Sequence, residues 1–141
     1  MTIPGLPVIY YGDEIGLPGG NDPDSRRQMK FENLNTHESA TKTTTAKLTK
    51  IRKENLALTY GNFMTLQVTD KTYAYARKYF DNTVVVLFNK NEKPVKMTVD
   101  LPDWLGLADM KAEFGNDFSI VEKALTIELQ PWSFEILSHN Y

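Results

Sequence analysis

The residues of this chain that could do chemistry are concentrated near its N-terminus, where carboxylates and guanidinium groups follow one another closely. Two carboxylate pairs stand there, Asp13 with Glu14 and Asp22 with Asp24. Paired carboxyl groups can divide acid–base work between them. Arg26 follows Asp22 by four residues, and a carboxylate beside a guanidinium offers a polar ligand a fixed acceptor and a fixed donor fork. The competing interpretation is a water-exposed loop ion pair, which adds little to stability.

Metal and cofactor chemistry finds little support in the sequence. The chain has no cysteine, so it has neither thiolate ligands nor disulfides. His37 and His139 are isolated, and we expect both on the surface. Asn21, Asp22 and Asp24 are oxygen donors, but they lack the spacing and terminal glutamate of an EF-hand loop. We therefore predict no metal site and no cofactor.

The amino-acid composition limits which classes of molecule the chain is expected to bind. The 141 residues carry a net charge of −2, with 41% apolar and 24% charged residues, as in an ordinary globular chain. A protein that tracks phosphates needs a basic face, so no nucleic-acid partner is expected. The longest apolar run is far shorter than the roughly 20 residues of a membrane span, and no leader pattern opens the chain. The lack of cysteine suits both the bacterial cytoplasm and the periplasm, so the compartment stays open.

The chain divides into three regions with different patterns of apolar and polar residues, and these regions must position the side chains named above. The apolar run Leu6–Tyr11 lacks polar alternation, which predicts a strand buried on both faces, and a long loop rich in glycine and proline follows it. Apolar residues at helical spacing predict a helix over Thr43–Asn55. The rest of the chain reads as all-β, with short alternating segments separated by turn signals. The predicted strands are Phe63–Val68, Tyr73–Phe80, Thr83–Asn89, Val95–Asp100, Met110–Glu113, Phe118–Val121, Ala124–Glu128 and Ser133–Leu137. The non-alternating Thr83–Asn89 is placed centrally.

The stretch Pro4–Gly16 resembles the α-amylase superfamily, in which Gly-x-Pro-x-Ile-Tyr-Tyr-Gly-x-Glu forms the eighth strand of a (β/α)8 barrel and the following turn. Residues Gly19–Met29 resemble the next loop of the neopullulanase and cyclomaltodextrinase branch. Residues Leu48–Gly61 resemble the last barrel helix running into the C-terminal domain. The resemblance therefore implies a mainly β chain: an antiparallel Greek-key sandwich over residues 58–141, preceded over residues 1–57 by the last strand, loop and helix of the barrel.

The resemblance also implies what the chain lacks. Retaining glycoside hydrolysis needs two carboxyl groups about 5–5.5 Å apart, and in this family they come from earlier barrel strands, so no catalytic residue is expected here. Glu14 is expected to be a structural carboxylate that accepts backbone N–H groups. Asp22 and Arg26 match residues that contact a glucose unit on the non-reducing side of the cleavage point.

The leading hypothesis is therefore the C-terminal part of an α-glucan hydrolase, inactive as an isolated chain. Its expected partners are the rest of the barrel and an α-glucan oligosaccharide. A homo-oligomer through the unpaired barrel strand is a further possibility. The alternative function is a non-catalytic sandwich that binds starch through Trp104, Trp132 and Tyr60. We favour burial of these three aromatic residues in the core, because single aromatics in a small sandwich are usually buried.

Overall fold

The structure is a computed structural model that describes residues 1–106 and 109–139. Its contacts divide the chain into two compact units. The first comprises Met1 and Gly5–Arg52, and the second comprises Thr2–Pro4 and Lys53–Tyr141. No helix in the described ranges is long and apolar enough to cross a membrane.

The long helix α1 covers Thr36–Glu54, and all but its last two residues belong to the first unit. Its N-terminus is a capping box: the Asn35 side chain accepts the backbone N–H of Glu38 at 3.0 Å, and the Glu38 carboxylate accepts that of Asn35 at 2.7 Å. The helix therefore begins seven residues before the predicted Thr43, although its C-terminal part was predicted correctly. The threonine-rich stretch is a weak helix former, but the box satisfies the first orphan donors and lets the helix run through it.

The predicted barrel strand is absent as a strand. Residues 6–11 belong to no sheet among the residues that the structure describes. Leu6 is 94% exposed and Val8 is 84% exposed, where burial on both faces was expected. The physical reason is that a parallel strand exists only through hydrogen bonds to its neighbours, and no described segment pairs with this one.

The second unit is an antiparallel β structure preceded by a short helix, α2, over Leu56–Tyr60, which was not predicted. The sheet strands of the described ranges are β1 Asn62–Val68, β2 Thr72–Tyr79, β3 Asn82–Asn89, β4 Val95–Asp100, β5 Lys111–Ala112, β6 Phe118–Val121, β7 Ala124–Leu129 and β8 Ser133–His139. Each of the eight predicted strands overlaps one of these. The prediction for β2 was shifted by one residue towards the C-terminus, because Thr72 pairs with Asn89 within the strand and Phe80 lies in the turn that follows it.

The strands form two sheets. The larger has the order β1-β2-β3-β8-β5, which confirms that β3 is central, and the smaller has the order β4-β7-β6. All of their pairings are antiparallel. The core between the sheets consists of alternate residues from both, among them Ala74, Val85, Leu87, Val99 and Leu125. This arrangement confirms a mainly β chain with antiparallel sheets.

The larger sheet also buries its other face. Val84, Val86 and Ile136 alternate with the core residues along β3 and β8, and none of them is exposed. Helix α2 packs against β2 and β3 and contributes the fully buried Ala57 and Leu58. Burial on both faces explains why the β3 sequence is apolar without alternation.

Gly61 lies where α2 passes into β1, and the approach is too close for a side chain. A Cβ at this position would lie 2.8 Å from the carbonyl oxygen of Lys78 and even nearer to that of Ala57. Both neighbours are backbone atoms, so neither can rotate away. The glycine is therefore required by contact between backbones and not by its φ of −69°.

We predict that Gly61→Ala lowers the free energy of unfolding by about 1–3 kcal/mol, as overpacking a closed site does. Thermal unfolding followed by circular dichroism measures the loss. Gly20→Ala is the matched control, because its Cβ would meet only the flexible Asp24 carboxylate, at 3.6 Å. Equal melting temperatures for Gly61→Ala and the unmodified chain would contradict the close approach.

Candidate functional site in the Asp22–Arg27 loop

The loop after Gly20 is shaped by backbone turns and not by packing. The N–H of Asp24 donates to the Asn21 carbonyl at 2.9 Å, and that of Arg26 donates to the Pro23 carbonyl at 3.1 Å. A single 3-10 turn covers Asp24–Arg26, and the Asp22–Pro23 peptide is cis. None of the residues from Asp24 to Arg26 is buried.

Asp22 and Arg26 meet in a two-point fork. Arg26 Nη2 donates to Asp22 Oδ2 at 2.8 Å, and Arg26 Nε donates to Oδ1 at 3.2 Å. The Ser25 hydroxyl also donates to Asp22 Oδ1, at 2.7 Å. These hydrogen bonds, with the Arg26 guanidinium first, hold the pKa of the Asp22 carboxyl below its ordinary value. The structure therefore brings the two expected sugar-contacting residues together, while their role in binding stays a prediction.

A second ion pair lies beside the first. Arg27 donates to Asp24 Oδ1 through Nε at 2.9 Å and through Nη2 at 2.6 Å. The Gly20 N–H donates to Asp24 Oδ2 at 3.0 Å. The Arg27 guanidinium lowers the pKa of the Asp24 carboxyl from its ordinary value. From the sequence, Asp24 was considered as half of a carboxylate pair with Asp22 and as an oxygen donor for a metal, but its pairing with Arg27 was not predicted.

The Asp22–Arg26 fork is exposed to water, and this exposure limits its contribution to stability but leaves it accessible to a ligand. The side chains of Arg26 and Asp22 are 76% and 61% exposed. An ion pair this exposed is screened by solvent and contributes little to stability. Its donors and acceptors are nevertheless held in a fixed arrangement, which is what recognition of a polar ligand needs.

The loop is tied to the segment before it by Tyr11. The Tyr11 hydroxyl donates to the carbonyls of Ser25, at 3.4 Å, and Arg27, at 3.2 Å. In the turn after Tyr11, the Gly12 N–H donates to a Glu14 carboxylate oxygen at 3.0 Å, and the Tyr10 N–H donates to Asp13 at the same distance. These are hydrogen bonds of the kind expected from structural carboxylates.

The exposure of the three aromatic candidates corrects one expectation. Trp104, Trp132 and Tyr60 were expected in the core, but they are 50%, 66% and 66% exposed. In two cases a neighbour is buried instead: Leu105 enters the core beside Trp104, and Ala57 and Leu58, on the same short helix as Tyr60, are fully buried. Trp132 lies in the turn before β8 with a φ of 53°.

The two histidines differ in their exposure to solvent. His37 is exposed on α1 as expected, but His139 is only 8% exposed, which corrects the surface assignment. His139 ends β8 and pairs in register with Thr83, so the strand itself carries it inward. Within residues 1–106 and 109–139, no group of three histidine, aspartate or glutamate side chains lies close enough to hold a metal ion.

The fold and loop together define a two-sheet β domain that follows a helical segment with an exposed acidic–basic loop. Residues 63–136 match the family model described as Maltogenic Amylase, C-terminal domain. The chain belongs to this family.

Similar proteins extend the match beyond the sandwich. A cyclomaltodextrinase of Thermoanaerobacter pseudethanolicus is 40% identical over 66% of this chain, and an amylopullulanase of Thermoanaerobacter thermohydrosulfuricus is 30% identical over 92%. The solved debranching enzyme of Nostoc punctiforme superposes on 98% of the chain with a TM-score of 0.84 and 30% identity. The chain spans only 16%, 9% and 29% of these three proteins.

The lowered pKa of Asp22 makes the fork testable in the chain itself. We predict that the Asp22 carboxyl titrates below its ordinary range, so that the ion pair is present above that range and is lost as the pH falls through the lowered pKa. Carboxyl carbon NMR measures the titration. Arg26→Leu should return the Asp22 pKa towards its ordinary value. Arg27→Leu is the matched control and should move Asp24 instead. An Asp22 titration that is indifferent to Arg26→Leu contradicts the fork.

Proposed function

We propose that this chain is the C-terminal part of an enzyme that acts on α-glucans, and that the Asp22–Arg26 fork contacts a glucose unit beside the cleavage point. The observation that carries the proposal is the exposed, two-point pairing of these side chains in a loop that resembles a sugar-contacting loop. The names of the similar cyclomaltodextrinase and amylopullulanase support an α-glucan as the substrate class.

Residues 1–57 supply the last strand, loop and helix of a (β/α)8 barrel in this proposal, and residues 58–141 form a sandwich that supports it. Catalytic carboxylates would come from the rest of the barrel, which is the chain's principal partner. The exposed side chains of Leu6 and Val8 support this division, because apolar residues of a parallel strand are normally covered by neighbouring elements.

The fork can be tested in the full-length enzyme. Asp22→Ala or Arg26→Ala should lower kcat/KM on maltooligosaccharides about ten- to a hundredfold, because each removes a charged hydrogen-bonding group from one sugar. The melting temperature should change little, since both side chains are exposed. Arg27→Ala is the matched control, and the isolated chain, which should release no reducing sugar, is the blank. Unchanged kinetics with a lower melting temperature would identify the fork as a structural ion pair.

The apolar run gives a second test, on the isolated chain. We propose that residues 6–11 mediate self-association when the rest of the barrel is missing, because an exposed apolar run that lies outside any sheet pairs readily with another chain. Sedimentation velocity should show concentration-dependent association that Val8→Lys weakens. Val121→Lys is the control, since Val121 is similarly exposed, at 67%, in the sandwich. A monomer at every concentration would contradict this proposal.

A second candidate function is glucan binding by the sandwich itself. The exposure of Trp104, Trp132 and Tyr60 favours it, because buried rings could not stack on a sugar. It is compatible with the first function, since a domain can both support a barrel and hold a polysaccharide.

A further inference from the structure

Three aromatic rings form a continuous cluster at one end of the larger sheet. The Tyr60 and Tyr79 ring centroids lie 5.6 Å apart, and those of Tyr79 and Phe80 lie 4.8 Å apart in an edge-to-face arrangement. Tyr60 ends α2, Tyr79 ends β2, and Phe80 opens the turn into β3. Tyr60 is 66% exposed and Phe80 is 79% exposed. We name these three residues the aromatic cluster.

The backbone at Phe80 is unusual for so large a side chain. Tyr79 pairs with Asn82, so Phe80 and Asp81 form a two-residue hairpin turn with Phe80 at its first central position. Its φ is 48°, in the left-handed region that hairpin turns usually fill with glycine, asparagine or aspartate. A bulky residue is unfavourable at this φ, and a ring exposed to water does not stabilise the turn in return. Such an outlier is a reason to look for a function of the ring.

The chemistry of the cluster suits a sugar chain. Pyranose rings present an apolar C–H face that packs on aromatic rings, and their hydroxyls need hydrogen-bonding partners at the edge. Tyrosine combines an apolar ring with a polar tip, and two of the three rings are tyrosines. The exposed Asp81 carboxylate follows Phe80 in the same turn and adds an acceptor beside the rings.

The size of the cluster separates a sugar chain from a folded protein partner. A stable protein interface needs about 800 Å² from each side. Three aromatic side chains together offer only about 450–750 Å² even when fully covered, and these are partly buried already. A row of rings this small fits a short stretch of flexible polysaccharide better than it fits a protein face.

We propose that Tyr60, Tyr79 and Phe80 form a surface site that stacks against an α-glucan chain, independently of Asp22 and Arg26. The choice of α-glucan rests on the proposed function, whereas the stacking geometry rests on the cluster itself. Such a site holds the polymer at the sandwich and raises its concentration near the rest of the enzyme.

Affinity electrophoresis of the chain in native gels containing amylopectin tests the site, with gels containing dextran as the polysaccharide control. The unmodified chain should be retarded by amylopectin only. Phe80→Gly should raise the apparent dissociation constant about three- to tenfold, while its melting temperature holds or rises because glycine adopts this φ freely. Tyr60→Ala should weaken retention similarly. A loss of retention without a loss of stability is the signature of a binding surface.

Phe31→Ala is the matched control. Phe31 is also an exposed aromatic residue, at 76%, but it belongs to the first unit and to neither candidate binding surface. Its replacement should leave retention unchanged. The proposal is overturned if the unmodified chain is not retarded, if Phe80→Gly is retarded normally, or if Phe31→Ala loses retention equally. A Phe80→Gly chain that binds normally but destabilises the full-length enzyme would show that the cluster contacts protein. None of these outcomes changes the kinetic test of Asp22 and Arg26.

Discussion

The second unit depends on one buried guanidinium, that of Arg77 on β2, which is only 1% exposed. Arg77 donates to the carbonyls of Gly61 at 2.9 Å, Asn62 at 3.2 Å and Thr2 at 3.0 Å. A charge in the interior is tolerated only when hydrogen bonds replace its water. The donors therefore hold the entry into β1 and the N-terminal residues against the sheet. This pairing also explains why Thr2–Pro4 belongs to the second unit despite its place in the sequence.

Aromatic side chains continue this attachment along the same face of the sheet. Tyr75, two residues before Arg77, shares a hydrogen bond of 2.6 Å with the Thr2 hydroxyl, and burial raises the pKa of its phenol. Its ring packs against Phe63 on β1 at 4.9 Å, and Phe88 on β3 lies 6.2 Å away. Phe88 in turn contacts Phe134 on β8, so aromatic contacts link the four strands β1, β2, β3 and β8. These contacts make the outer face of the larger sheet a second packed layer. Removing them would weaken the packing that holds both Arg77 and Thr2 in place.

Sequence patterns predicted the strands well because alternation and turn residues are local signals. They failed where a position depends on distant atoms. Residues 6–11 have the composition of a buried strand, but a strand needs partners that the described chain does not provide. Trp104 and Trp132 were assigned to the core because single aromatic residues in a small sandwich are usually buried, but both are exposed in the structure. The start of α1 is different, since Asn35 and Glu38 carry a recognisable capping pattern. The buried role of Arg77 had no local signal, because the carbonyls to which it donates lie at least 15 residues away in sequence.

The two candidate binding surfaces illustrate different ways of holding a side chain in place. The aromatic cluster is mounted on β2 and α2, so its position is set by packed elements. The Asp22–Arg26 fork has no such support, and its geometry comes from hydrogen bonds within its own loop, such as that of Ser25, and from the Tyr11 hydroxyl of the preceding segment. A loop fixed by its own polar contacts can stay exposed and still be ordered. Substitutions at Asp22 or Arg26 should therefore act on binding more than on folding, whereas substitutions beneath the cluster would affect both.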